Sequence, residues 1–295
     1  MKKHLGSLGL LLTAIIWGSG FVANNIALET MTPLQILCLR FFIGAVLMGG
    51  IACKRFKNVG KQEIIAGTIL GVILFAAFTA QTFGLKYTTP SKNAFLTATN
   101  VVIVPFIALL LNKKRVDGYS CAGAVMAITG IGILSLRGNL SLSFGDALTL
   151  ICAFCFAFHI FYTGEFAQKY DVLILTAIQM LVAFLLSFLV MLPAEWISLS
   201  VSGNGLVSVI YLGVFSTTIA FFLQTVAQKY TTETKAAVIL SMESVFGTLF
   251  SILIVQEEIT ARMVAGCILI LAAVIIAETK PKLIMKRYIE EIKEL

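Results

Sequence analysis

Glu243 lies inside an apolar run, about eight residues or ~12 Å from the start of that run at 1.5 Å per residue. That depth is close to the middle of a hydrocarbon core of ~30 Å. A carboxylate there is costly unless it is protonated, paired or hydrated, so it reads as functional: a proton carrier, an anchor for a cationic group, or a neutral donor to neighbouring helices. The position aligned with it in the first half of the chain is Asn100, which shares one helical face with Asn93 and Thr97 at spacings i, i+4 and i+7. Gln81 and Gln224 form a second aligned pair, suited to mirrored gates or caps or to hydrogen bonding between helices. Trp17-Gly18-Ser19-Gly20 places two glycines around a serine in mid-span, where glycine permits close helix approach or a kink. Trp17 there either fills the core or turns a flat face to a cavity.

His159, with Tyr162 nearby, is the one histidine inside an apolar run; it reads first as a satisfied packing residue and second as a proton relay. Arg40 cannot easily be neutralised, and is expected to snorkel or to pair with Glu29 rather than to meet a substrate. No nucleophile and base, and no metal-ligand set, stand at one depth, so an intramembrane enzyme is not supported. Cys152 and Cys155 resemble a C-x-x-C pair, but without a second pair they read as small apolar side chains. The candidate substrate-binding set is Trp17, Ser19, Gln81, Asn93, Asn100, His159, Tyr162, Gln224 and Glu243, with Glu243 the candidate for proton coupling. No catalytic residue, cofactor or metal is expected.

These residues must be held by elements that live in lipid. The chain is 59% hydrophobic and 13% charged, with a mean hydropathy of +0.97, against about 25% charged in soluble domains. Ten stretches approach the roughly 20 residues a membrane helix needs: near 5 to 27, 33 to 52, 63 to 84, 92 to 111, 118 to 136, 145 to 164, 172 to 193, 205 to 227, 235 to 255 and 261 to 278. The start, Met1-Lys2-Lys3-His4 and an apolar run, is read as an uncleaved first helix because no A-x-A site follows.

Residues 81–99 reappear at 224–242 at a constant offset of 143, with Gln81/Gln224, Thr82/Thr225, Tyr87/Tyr230 and Lys92/Lys235 identical. The chain is therefore a duplication: a first five-helix repeat over 1–137, a polar link, a second over 145–279, and an amphipathic tail over 280–295 expected on the membrane surface. An odd number of spans forces the second copy to be inverted, a pattern of secondary transporters. The fold class expected is an all-α membrane protein of ten transmembrane helices in two inverted five-helix repeats. Most of the 22 Lys and Arg residues fall at the ends that share a side with the N-terminus, including Lys54, Arg55, Lys57, Lys113, Lys114, Arg115, Lys280 and Lys282. The positive-inside rule then places both termini in the cytoplasm of a plasma or inner membrane. The net charge of +7 is accounted for by topology, and no nucleic-acid partner is expected.

On the ninth segment Ala237, Ser241, Ser244, Thr248 and Ser251 form a small-residue stripe that reads as a packing seam. Taken with Trp17-Gly18, with Arg40-Phe41 after a Pro33-led segment, with Ala94 through Leu111 and with MESVFGTLFSILIVQEEIT over 242–260, the chain resembles the EamA family of the drug/metabolite transporter superfamily. Ser244 stands where that family usually has Pro, and Gln256-Glu257 where it has Gly-Glu. The resemblance implies a pseudo-twofold bundle around a central cavity that moves small metabolites, often outward. The expected function is alternating-access export of a small metabolite such as an amino acid, with protons a possible coupled partner and the protein a monomer or homodimer. The rivals are a channel, an intramembrane enzyme, and efflux of cationic drugs.

Overall fold

The structure is a computed structural model that describes residues 2–113, 118–135, 143–195, 203–258 and 260–279. The tail 280–295 and most of the polar link between the repeats lie outside the described residues. Among the described residues there is no strand. The helices are α1 (Lys2–Leu28), α2 (Pro33–Ala52), α3 (Lys61–Leu85), α4 (Pro90–Thr97), α5 (Asn100–Asn112), α6 (Gly118–Ser135), α7 (Phe144–Ala167), α8 (Val172–Glu195) and α9 (Gly203–Tyr211). A π-helical segment (Leu212–Ile219) joins α9 to α10 (Ala220–Gln228); then come α11 (Glu233–Leu240), α12 (Met242–Phe250), a second π segment (Ser251–Val255) and α13 (Ala261–Thr279). Eight spans of 20 to 26 residues are long and apolar enough to cross a bilayer, and α6 and α13 carry shorter apolar cores, Cys121–Gly130 and Val264–Ile276. Together they are the ten segments expected.

Helix starts are written locally. Thr32 caps α2 in a reciprocal box with Gln35, and Ser143 caps α7 in the same way with Asp146. Thr89 and Thr232, related by the offset of 143, cap α4 and α11 through the backbone N–H groups of Lys92 and Lys235. The duplication is equally visible in the ends: Leu85 closes α3 and Gln228 closes α10, Pro90 opens α4 and Glu233 opens α11, Thr97 closes α4 and Leu240 closes α11.

Packing obeys the same exchange. Helix α3 lies on α7 as α10 lies on α1, and α5 lies on α7 as α12 lies on α1. The pairs α2 with α8 and α6 with α13 are repeat mates that meet directly. The α6–α13 seam is close because Gly130 faces the backbone of Gly266, whose carbonyl oxygen would lie 2.8 Å from an added Cβ.

The fourth and ninth segments are both interrupted, and proline at the break is not required. Thr99 donates to the Leu96 carbonyl at 2.6 Å, Ser241 to Val238 at 2.7 Å and Ser244 to Ser241 at 2.7 Å. Hydroxyls that take i−3 carbonyls compete with the helical ladder and let it part. The stripe on the ninth segment is buried throughout, from Ala237 to Ser251. Its approach to α1 runs through Gly18, where a Cβ would come within 2.5 Å of Phe246 Cβ and 2.8 Å of the Gly247 nitrogen.

Candidate functional site

The two faces of the bundle are distinguished by α1, which starts at the near face and ends at the far face. Along α1, Trp17, Gly20, Phe21 and Asn24 occupy one stripe at i, i+3, i+4 and i+7. They wall a cavity together with Arg40, Phe78, Gln81, Asn100, Phe156, Ile160, Ser216 and Glu243. It occupies the middle of the bundle and the half toward the far face, because Asn24 and Gln81 lie toward that end of their helices. Below it, toward the near face, rings close the bundle: Trp17 lies 4.9 Å from Phe221, and Phe78 contacts Phe156 edge-on at 5.3 Å and Phe221 at 5.7 Å.

Arg40 differs most from what the sequence suggests. It neither snorkels nor pairs with Glu29: it is 1% exposed, and its guanidinium faces the π segment. Nε donates to Thr217 Oγ1 at 2.9 Å and Nη2 to Ser216 Oγ at 3.3 Å, while the guanidinium carbon sits 4.1 Å from the centre of the Phe78 ring. Hydroxyls and an aromatic face replace water for a charge that cannot be removed by deprotonation. Of its five N–H donors, two are used in this way.

The π segment makes this arrangement possible. Its wide turn is closed by Thr218, whose hydroxyl donates to the Gly213 carbonyl at 2.7 Å. The Ser216 carbonyl accepts from Trp17 Nε1 at 3.1 Å, so one residue fixes both the indole and the guanidinium. Gly20 leaves room for it, since a Cβ there would lie 2.7 Å from Ser216 Oγ.

Glu243 is 4% exposed and faces the same cavity at the first turn of α12. Among the described residues it makes no hydrogen bond and no ion pair, and Arg40 pairs with no carboxylate. An arginine and a carboxyl group thus line one cavity without pairing with each other. The amide oxygens of Asn24 and Asn100 also line it and have no partner. The cavity therefore offers a guanidinium donor, a carboxyl group, two acceptor oxygens and aromatic walls.

Of the nine residues singled out from sequence, Trp17, Gln81, Asn100 and Glu243 line this cavity, and Ser19, Asn93, His159, Tyr162 and Gln224 do not. Ser19 bonds the Ile16 carbonyl and the Tyr211 hydroxyl. Asn93 Nδ2 donates between helices to the Gln81 carbonyl at 3.3 Å and to Thr149 Oγ1 at 2.8 Å, and its Oδ1 has no partner among the described residues. His159 bonds Gln179 at 2.9 Å and stands edge-on to Phe221. Tyr162 stacks on Phe158 and Phe166. Gln224 is fully buried on α10, beyond Phe221. Cys152 and Cys155 are both free thiols; Cys152 is buried against Thr97. Residues that sequence reasoning missed are Arg40, Phe78, Phe156 and Ser216. The available signal was Ser216-Thr217-Thr218, three consecutive hydroxyls in mid-span, together with an arginine that needed partners.

The sequence profile of the EamA-like transporter family matches residues 4–136 and again 143–279. An uncharacterized transporter of Archaeoglobus fulgidus is 34% identical over 283 residues, covering 95% of this chain and 88% of its own. A probable amino-acid metabolite efflux pump of Salmonella typhimurium is 24% identical over 293 residues, covering 94% of this chain and 95% of its own. A solved crystal structure superposes with a TM-score of 0.78 over 95% of this chain and 98% of its own at 18% identity, a likeness of fold.

Proposed function

The chain belongs to the EamA-like transporter family and is a multi-pass membrane transporter; we propose that it exports a small zwitterionic metabolite of the amino-acid type by alternating access. Arg40 holds the substrate carboxylate through the N–H groups that Ser216 and Thr217 leave free, Glu243 and the Asn24 and Asn100 oxygens hold the ammonium, and Trp17, Phe78 and Phe156 receive the side chain. The observation that carries this reading is an arginine and a glutamate that line one cavity without pairing with each other.

A purely cationic drug is the poorer fit, because a fixed guanidinium in the same cavity repels it. Outward direction is supported by the efflux pump among the relatives. The positive-inside distribution supports a plasma-membrane protein whose near face is cytoplasmic, which makes this conformation one whose cavity lies toward the outside. Because Glu243 has no partner among the described residues, the substrate ammonium and a proton compete for it. That competition couples export to proton entry.

Flux by purified protein in liposomes tests the reading, with leucine, its decarboxylated amine and its deaminated acid as probes. Leucine is expected to move faster than either analogue, and an inward pH gradient to drive its accumulation on the other side. Equal flux of leucine and the amine would remove the zwitterion from the proposal. Non-saturating flux would make the protein a channel.

A further inference from the structure

The offset of 143 relates each cavity residue to a mate: Trp17 to Ile160, Gly20 to Thr163, Phe78 to Phe221, Gln81 to Gln224 and Asn100 to Glu243. Gln81 is engaged at the cavity, its Nε2 donating to Thr97 Oγ1 at 3.3 Å. Its mate is not. Gln224 is fully buried, and neither its Nε2 nor its Oε1 has a partner. One turn on, along the same face of α10, Gln228 donates Nε2 to the Ile160 carbonyl at 2.8 Å and leaves Oε1 unpartnered. Across from them on α8, Gln179 gives Oε1 to His159 and leaves Nε2 unpartnered. Buried amides without partners call for a specific explanation, since nearly all buried polar groups are satisfied.

Gln224 is eight residues beyond Ser216, about 12 Å farther along the helix toward the near face. The ring cluster of Trp17, Phe78, Phe156 and Phe221 lies between it and the cavity. Exchanging the repeats carries the far-face cavity onto this amide-lined region, with Gln224 in the place of Gln81. We infer that Gln224 and Gln228 line a second vestibule on the near-face side, open to water when the far-face cavity is shut, in which amide groups receive the substrate. Amides both donate and accept, so they serve either end of a zwitterion. The vestibule has no cationic anchor of its own in the place of Arg40, whose mate is Ala183. This inference rests on the alternating-access reading above.

The test replaces Gln224 or Gln81 by Cys and exposes sealed inside-out and right-side-out vesicles to a membrane-impermeant cationic methanethiosulfonate. Peptide mass spectrometry separates the new thiol from the six native cysteines. At residue 224, modification is expected at least tenfold faster from the near face than from the far face, and at residue 81 the reverse. In the double variant, prior modification at 81 is expected to slow modification at 224. A thiol at 224 that stays unmodified from the near face overturns the inference, whatever residue 81 does, and leaves Gln224 as a bond between helices. Modification at both sites with neither affecting the other upholds the vestibule and removes alternation. Should Gln224→Cys fail to reach the membrane, Gln228→Cys carries the same expectation and the same refutation.

Discussion

Arg40→Gln isolates the half of the cavity that reads a carboxylate. The wild-type guanidinium is fixed by Thr217 and Ser216 and by the Phe78 ring, so its remaining donors are already aimed before a ligand arrives. A charged hydrogen bond contributes about 1.5–3 kcal/mol, and a carboxylate meeting a guanidinium can make two. That figure is already net of the hydrogen bonds to water given up, so two bonds at its lower end contribute about 3 kcal/mol, or roughly 100-fold in affinity at 1.4 kcal/mol per decade. Equilibrium binding of radiolabelled leucine to purified protein in nanodiscs is expected to weaken by about that factor in Arg40→Gln. Binding of the decarboxylated amine is expected to stay level or to tighten, since a repelling charge has gone. Arg40→Lys keeps the charge but not the planar fork, and is expected to fall between the two. A parallel loss of both ligands would refute the assignment, because it would mean that Arg40 holds the π segment in place and does not touch the carboxylate.

Glu243→Gln keeps the shape of α12 but removes the group for which proton and ammonium compete; accumulation driven by a pH gradient is expected to vanish while leucine-for-leucine exchange persists, and gradient-driven flux equal to wild type would exclude Glu243 as the carrier. Gly18→Ala forces a Cβ to within 2.5 Å of Phe246 Cβ; it is expected to cost about 1–3 kcal/mol, seen as a lower unfolding midpoint in detergent. Trp17→Phe keeps an aromatic ring but removes the donor to the Ser216 carbonyl, and a raised KM with a stability loss of about 0.5–1.5 kcal/mol is expected. His159→Asn breaks its bond to Gln179 outside the cavity, so the unfolding midpoint is expected to fall with leucine affinity unchanged.

The duplication, the ten segments and the polar mid-span pair were legible in the sequence because each is a one-dimensional pattern. Spacing told that Asn93, Thr97 and Asn100 share a face, but not that the Asn93 amide nitrogen and the Thr97 hydroxyl bond to α3 and α7 while Asn100 lines the cavity. Arg40 was misjudged because its fate depends on which helix faces it: beside lipid it would have snorkelled, and beside Ser216 and Thr217 it is solvated by protein. Phe78 and Phe156 were silent, since an aromatic within an apolar run looks the same whether it lines a cavity or fills a core. The interruptions of the fourth and ninth segments follow from hydroxyls bonding back to carbonyls, a competition that helical periodicity does not display. In the π segment, likewise, Trp17 and Arg40 converge on one serine from helices that the sequence leaves unrelated.

The most direct measurement is an experimental structure of the protein in lipid nanodiscs with leucine bound. The carboxylate is expected within about 3 Å of the Arg40 guanidinium, with the ammonium on Glu243 and the side chain against Trp17 or Phe156. Leucine found with its carboxylate turned away from Arg40, or bound outside the cavity between α1, α3, α7 and α12, would contradict the reading of Arg40 and Glu243 as the two ends of one zwitterion site.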